Sequence, residues 1–335
     1  MEHMELVDFC GLLGMNGEAG AACRAYAWEA DAVQEAYRLL YGQPACFFHR
    51  LSAGTQVPQR SLALYVQFAQ MLWPVYRQWG IPKEIYLDTF SDIALWEREY
   101  FEAHGAHGLT ETEWLAHHVR MEIFRLGSLQ FQPQKEPLEE VWKSAGIDGT
   151  EMVLNVHIPK GADLDTGAVR QSYVRALDFW GCGSAVLLCE SWLLSPQLGE
   201  LLPQKSRIRS FAKEFSVIAV EESSRQAEER IFGAVKADPR DYPENGTSLQ
   251  LAARRHLITG GSLPAGFGWH KIVKPCRGFF CAEGNMPLAK NKTAGLPAGL
   301  FPVMALSGSG CNAVIRHLQG AVSCPGAHMR KTGRI

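Results

Sequence analysis

The chain has 335 residues, which at roughly 150 residues per domain predicts about two domains. Its formal net charge is −2, and 47% of its residues are hydrophobic and 20% charged. This composition is ordinary for a globular protein and excludes a collagen-like chain, a coiled coil and an entirely disordered chain. The absence of a basic surplus argues against a general nucleic-acid binder.

The start of the chain and its cysteines predict the cellular compartment of the protein. The first five residues, MEHME, are acidic where a secretory leader is basic, and no stretch of about 18 apolar residues occurs. The nine cysteines include no CxxC pair, so neither a disulfide framework nor a metal site is predicted. We therefore expect a cytoplasmic protein with reduced thiols, no membrane span and no bound metal.

Residues 1–120 are predicted to form a helical N-terminal domain. Residues 19–40 lack proline and are rich in Ala, Glu and Arg, and residues 60–79 place apolar side chains at helical spacing. Pro74 predicts a kink or a break in the second of these helices. Pro82 suits the start of the next helix, and the sequence TETE from residue 110 has the form of a capping box.

Residues 121–273 are predicted to form a second domain in which strands alternate with helices. This alternation predicts a layered architecture with helices packed on a sheet. The predicted strands are residues 123–131, 152–158, 185–194, 215–220, 231–235 and 268–273, and the predicted helices are residues 165–180, 196–202 and 248–258.

Residues 274–335 differ from both preceding regions. They contain eight Lys or Arg but a single acidic residue, Glu283, with many Gly and Pro and little periodicity. We expect a disordered basic tail. A basic tail can also bind nucleic acid, which gives the least favoured functional hypothesis.

Two of the predicted strands carry candidate catalytic residues. His157 lies next to the end of its strand and suits either a general base or a structural, hydrogen-bonded histidine. Glu190 interrupts an apolar strand, where a carboxylate is costly unless it is paired or lies in a cleft that raises its pKa. Its alternative role is a salt bridge to Arg207 or Arg209. Ser191, on the opposite strand face, is the third catalytic candidate.

A phosphate-binding pattern follows the second of these strands. The segment SRIR, beginning at Ser206 and Arg207, combines cations with a predicted helix start. Such a segment can hold a phosphate, and its alternative is a solvated charged turn. The adjacent His117 and His118 point apart on a helix, so they do not predict a metal site.

Several segments together resemble a bacterial acyltransferase-domain family. They are GIP at 80–82, DTFSDI at 88–93, FRLGSLQF at 124–131, HIP at 157–159 and CESWLLSPQL at 189–198. The family joins a helical N-acyltransferase N-terminal domain to a GNAT-like C-terminal domain. The resemblance covers about residues 60–272 and implies an α+β fold with a mixed sheet flanked by helices.

The same resemblance implies acyl transfer from acetyl-CoA or another acyl-CoA to a small-molecule or peptide amine. The amine would attack directly in a ternary complex, with Glu190 or His157 removing its proton. Trp192, Ser206 and Arg207 are then the candidate CoA-binding residues. The glycine-rich Q/R-x-x-G-x-G/A turn that GNAT enzymes use for the CoA pyrophosphate has no match here. A non-catalytic GNAT-like module that binds a small ligand or a protein partner is therefore the alternative.

Overall fold

The structure, a computed structural model, describes residues 4–134 and 151–274, together with Lys143 and Gly146. Apart from Lys274, the predicted basic tail lies outside the described residues. The described part of the chain begins with a helical region and continues into a six-stranded sheet with helices. None of its helices combines the length and the apolar character needed to cross a membrane.

The helical region contains two long helices surrounded by shorter ones. The bounds are Leu6–Leu12 (α1), Gly17–Ala25 (α2), Ala30–Gly42 (α3), Pro44–Leu51 (α4), Val57–Gln78 (α5), Lys83–His104 (α6) and Thr112–Val119 (α7). The single helix predicted over residues 19–40 is wrong, because α2 ends before α3 begins.

Two further predictions concern helices α5 and α7. Helix α5 does not break at Pro74, because buried Leu72 and Tyr76 pack the segments on both sides of the proline into one core. The capping box predicted from residue 110 is wrong. Helix α7 begins after Glu111, and no side chain caps its start.

An aromatic cluster joins the helical region to the sheet. Tyr76 and Tyr86 meet with ring centroids 5.0 Å apart, and Tyr76 lies 6.0 Å from Phe124 of the first strand. Phe124 in turn lies 4.8 Å from Phe179. One continuous hydrophobic core therefore extends from the helices into the sheet, and burial of such large rings stabilises their relative placement.

The sheet has the strand order β1-β2-β3-β4-β6-β5. Strands β3 and β4 run parallel, and the other neighbouring pairs are antiparallel. The bounds are Phe124–Leu126 (β1), Leu129–Pro133 (β2), Met152–His157 (β3), Ser184–Ser191 (β4), Ser216–Glu221 (β5) and Ala265–Val273 (β6).

Two strand predictions are wrong. Residues 123–131 form a hairpin rather than one strand, because Gly127, with φ 87°, provides a tight turn between β1 and β2. Residues 231–235 do not form a strand, since residue 231 belongs to the helix Gln226–Phe232, which Gly233 ends in the left-handed conformation.

The sheet region contains the three predicted helices, near residues 165–180, 196–202 and 248–258, and two whose bounds were not predicted, at residues 207–212 and 226–232. They are Thr166–Phe179 (α8), Pro196–Leu201 (α9), Arg207–Ala212 (α10), Gln226–Phe232 (α11) and Ser248–Ile258 (α12), with 3₁₀ turns at Trp192–Leu194 and Pro239–Asp241. Helix α8 connects the parallel strands β3 and β4 and buries Val169, Tyr173 and Ala176 in the main core.

Each face of the β3–β4 pair has a different environment. Leu154, Leu187 and Cys189 point into the main core with α8. Val186 and Leu188 point to the other face, where they pack with Phe267 of β6. We refer to this other side, on which alternate side chains of β3 and β4 lie, as the second face.

Candidate active site

The parallel pair of strands separates at its carboxyl end. The paired register runs from Met152–Ala185 to Asn155–Leu188 and stops there, although β3 continues to His157 and β4 to Ser191. The outer neighbours stay paired, so the separation is confined to the gap between β3 and β4. We call this gap the β3–β4 cleft. The carboxyl ends of parallel strands are where open α/β sheets bind ligands.

Two predicted catalytic residues lie on the same face at this cleft. Asn155 and Leu188 are register partners, and side chains alternate along each strand. His157 and Glu190, each two residues further on, therefore both lie on the second face. Ser191 lies on the opposite face, where it is buried and its Oγ accepts a hydrogen bond from the Leu193 amide at 3.2 Å. His157 and Glu190 thus share the face of the cleft from which Ser191 points away.

His157 is held in a defined orientation. Its Nε2 lies 3.2 Å from Oε1 of Gln132, and its ring meets that of Trp114 edge to face at 4.9 Å. An amide oxygen only accepts hydrogen bonds, so this contact assigns the imidazole proton to Nε2 and the lone pair to Nδ1.

The surroundings of His157 keep it neutral. Burial, together with the neighbouring His117 and His118, lowers the pKa of His157 to about 3, while Asp92 acts in the opposite direction. At neutral pH the imidazole is therefore unprotonated. Since an unprotonated Nδ1 carries a lone pair, it can accept a proton from a reacting group.

Glu190 has a desolvated carboxyl group. Its Oε2 is buried without a hydrogen-bond partner, and burial, together with the charge of Glu221, raises the pKa of Glu190. The salt bridge expected as its alternative role is wrong, because Arg207 pairs with Asp163 and Arg209 donates to the Leu202 carbonyl. A carboxylate in this environment can accept a proton or attract a cation.

An anion-binding corner lies beside the cleft. Strand β3 leads through residues 158–165 into α8, so the positive end of the α8 dipole lies at the cleft's edge of the sheet. Nη1 of Arg207 lies 3.0 Å from Oδ1 of Asp163 in this connecting segment. The Arg207 side chain is 67% exposed, which leaves it accessible to an anionic ligand. Asp165 caps this N-terminus by accepting from the Gly167 amide at 2.9 Å, so the exposed Arg207 is the group here that can turn to a phosphate.

The two other predicted CoA-binding residues have structural contacts. The Trp192 amide donates to Oε1 of Gln226 at 2.8 Å, and its half-buried side chain packs against two hydrophobic clusters. Oγ of Ser206 accepts a hydrogen bond from the Arg209 amide at 3.4 Å and so caps α10. Of the three, Arg207 is the one whose charged group borders the anion-binding corner.

The helical region forms one side of the site. This contribution was not predicted from the sequence. Trp114 of α7 contacts His157, and its Nε1 donates to Oδ2 of Asp92 on α6 at 2.8 Å. Oδ2 of Asp92 also lies 3.3 Å from Nε2 of His118. The adjacency of the histidines was visible in the sequence, but their contact with β2 and β3 was not. Within residues 4–134 and 151–274, no group of three or more His, Cys, Asp or Glu could hold a metal ion.

Comparison with protein families identifies both regions. The N-acyltransferase N-terminal domain matches residues 4–121, and the GNAT-like C-terminal domain matches residues 123–270. The chain therefore carries both domain types, the helical one first and the GNAT-like one second. The predicted α+β fold, with a helical N-terminal region followed by a mixed GNAT-like sheet, is thereby confirmed.

Solved acyltransferase structures share the fold. One, in complex with decanoyl-CoA and teicoplanin, is 21% identical, with a TM-score of 0.64 over 80% of this chain and 87% of that one. Another, a mutant acyltransferase in complex with octanoyl-CoA, is 20% identical, with a TM-score of 0.65 over 80% of this chain and 88% of that one. No curated protein matches the sequence.

Proposed function

We propose that the protein is an N-acyltransferase that moves an acyl group from an acyl-CoA to an amine. The observation that carries this proposal is the β3–β4 cleft, which has His157 and Glu190 on one face and an anion-binding corner at its edge. The acyltransferases of similar fold were solved with decanoyl-CoA, octanoyl-CoA and CoA, which supports an acyl-CoA as the donor.

The donor would lie along the cleft. Arg207 would bind the CoA phosphates, because its exposed guanidinium can exchange the Asp163 carboxylate for a phosphate. Beyond Leu188, the edge of β4 that faces β3 is no longer paired with it. Its backbone groups can therefore hydrogen-bond the donor, and an amide N–H there would polarise the thioester carbonyl.

The chemistry requires two proton transfers from the acceptor. An acceptor ammonium first loses a proton to the Glu190 carboxylate, whose raised pKa favours uptake. The free amine then attacks the thioester carbon, and Nδ1 of His157 takes the second proton as the C–N bond forms. The C–S bond breaks, the CoA thiolate leaves and takes the proton from Nδ1 of His157, and Glu190 returns its proton to water. The products are an amide and free CoA, and holding both reactants in the cleft supplies much of the rate.

The acceptor is an amine on a small molecule or a peptide. Teicoplanin in the similar acyltransferase complexes supports this class. The test incubates the full chain with decanoyl-CoA and a panel containing teicoplanin, amino sugars and short peptides, and detects acylated products by mass spectrometry. The matched variants are His157→Gln and His49→Gln, since His49 is an exposed histidine on α4.

The wild type and His49→Gln should form an acylated amine, and His157→Gln should be slower by about 100-fold. Undiminished transfer by His157→Gln would contradict the role of that residue. Saturable binding of decanoyl-CoA without transfer to any amine of the panel would favour the non-catalytic binding module instead.

A further inference from the structure

A buried polar network connects the helical region to the sheet. Asp92 and His118 are 1% and 0% exposed, and both lie in the interface between the two regions. Oδ2 of Asp92 accepts from Nε1 of Trp114 at 2.8 Å and faces Nε2 of His118 at 3.3 Å, while Nε2 of Gln130 lies 3.3 Å from the same His118 nitrogen. Burying a carboxylate is costly unless donors compensate it, so this network is specific rather than incidental packing.

The Asp92 carboxyl group stays ionised in this setting. Burial alone would raise its pKa, but hydrogen bonds from His118, Trp114 and Gln130 together lower the pKa of Asp92 below its ordinary value. A charged acceptor makes a stronger hydrogen bond than a neutral one. The indole N–H of Trp114 is therefore firmly held, and with it the plane of the ring.

The indole ring of Trp114, held in this way, packs against His157, the proposed base. Trp114 meets His157 edge to face, with centroids 4.9 Å apart and an interplanar angle of 69°. Gln132 holds Nε2 of the same imidazole from strand β2. Gln132 on the sheet and Trp114 in the helical region therefore limit the movement of the His157 ring from two sides. A displacement of a reacting group by about 1 Å can lower the reaction rate by about 100-fold.

We propose that Trp114 and Asp92 are positioning residues for His157. Trp114 confines the imidazole directly, and Asp92 acts through Trp114. Together with Gln132 they favour the imidazole form that has its proton on Nε2 and its lone pair on Nδ1. In this way the helical region completes a site whose reacting groups lie on the sheet. The inference rests on the proposed function, because it assigns the positioning to acyl transfer.

The titratable groups around His157 come from several elements. Asp92 lies on α6, and His117 and His118 lie on α7. Glu122 follows α7 and lies 2.6 Å, through Oε2, from Nδ1 of His117. These groups determine the electrostatic environment of His157. The experiment must therefore separate a change in the position of the His157 ring from a change in the charge around it. Trp114→Phe removes the indole N–H without changing charge, and Asp92→Asn removes the charge while keeping an acceptor oxygen.

The matched control is Trp28→Phe. Trp28 is also half-buried in the helical region, and its Nε1 donates to the Arg60 carbonyl at 3.1 Å. The first measurement needs no activity. Nitrogen-15 NMR of the histidine side chains in the full chain at pH 7 reports the tautomer of His157, which is assigned by its loss in His157→Gln.

We expect the wild type and Trp28→Phe to show a protonated Nε2 and an unprotonated Nδ1. Trp114→Phe and Asp92→Asn should mix the tautomers or broaden the His157 signals. Unchanged His157 signals in a folded Trp114→Phe variant would overturn the positioning role. If Trp114→Phe does not fold, Asp92→Asn decides by the same criterion.

The second measurement is the pH profile of decanoyl transfer. We expect Trp114→Phe to lower kcat by about tenfold with little change in KM, and to alter the pH profile, whereas Trp28→Phe does neither. Unchanged kcat and pH profile in Trp114→Phe would also overturn the inference. If the wild type transfers no acyl group, the proposed function fails. The NMR result then separately decides whether Trp114 and Asp92 position His157.

Discussion

Replacing His157 with glutamine should make the stability of the folded chain less sensitive to acid. The pKa of His157 falls from an ordinary 6.5 to about 3 in the folded chain, chiefly because of burial. Between these values the unfolded chain binds a proton that the folded chain does not bind. Folding stability is therefore lost as the pH falls below 6.5, and the loss continues until the pH approaches 3.

The size of this effect follows from the pKa difference. At pH 5, 1.5 units below the ordinary pKa, the proton bound by the unfolded chain costs about 2 kcal/mol of folding free energy relative to pH 7.5. Glutamine does not titrate, so the His157→Gln variant lacks this component. The wild type should lose about 2 kcal/mol more than the variant between the two pH values.

Urea unfolding followed by circular dichroism at pH 7.5, 6.5, 5.5 and 5.0 measures this difference. His49→Gln is the control, because the histidine that it removes is exposed. The control should lose stability in parallel with the wild type. Equal losses in the wild type and His157→Gln would refute the claim that the folded chain keeps His157 neutral.

Two further substitutions test the cleft and its surroundings. Glu190→Gln removes a partly buried carboxyl group whose Oε2 has no partner, so we expect higher stability than the wild type at pH 7.5. The gain should shrink in acid, where the raised pKa lets the folded wild type take up a proton. The variant should also transfer acyl groups more slowly, and unchanged transfer would contradict the role of Glu190. An added Cβ in Gly266→Ala would overlap the backbone after β4, so urea unfolding should show a loss of about 1–3 kcal/mol. Gly183→Ala, with open space around the added atom, is the control, and equal losses in both would show that no close approach exists.

Local signals predicted those elements that local interactions determine. Helix α12 matches the predicted residues 248–258, and Thr247 forms a capping box with Gln250 at its start. The hairpin of β1 and β2 was missed because its alternation continues through the two-residue turn, so the pattern resembles one longer strand. The segment at residues 231–235 is apolar enough for a strand, yet the helix of residue 231 is stabilised by packing within a separate hydrophobic cluster.

Individual residues of the candidate site could be predicted from the sequence, but their spatial arrangement could not. His157 and Glu190 stand out because each interrupts or ends an apolar strand. Their placement on one face depends on the parallel register of β3 and β4, which no local pattern contains. Trp114 and Asp92 are distant from His157 in the sequence and reach it through tertiary packing alone. Arg207 of the anion-binding corner was predicted, but its pairing with Asp163 between β3 and α8 depends on tertiary packing.

In the proposed function, an acyl-CoA binds at the β3–β4 cleft with its phosphates at Arg207. Isothermal titration calorimetry of decanoyl-CoA into the full chain measures this binding, with Arg207→Ala and Arg240→Ala as matched variants. Both arginines are exposed and each pairs with an aspartate, Arg207 with Asp163 and Arg240 with Asp238.

We expect saturable binding of decanoyl-CoA to the wild type and to Arg240→Ala. Binding to Arg207→Ala should be weaker by about tenfold, the effect of one lost charge-assisted hydrogen bond. No binding to the wild type, or equal affinities for the two variants, would show that Arg207 does not hold the CoA phosphates.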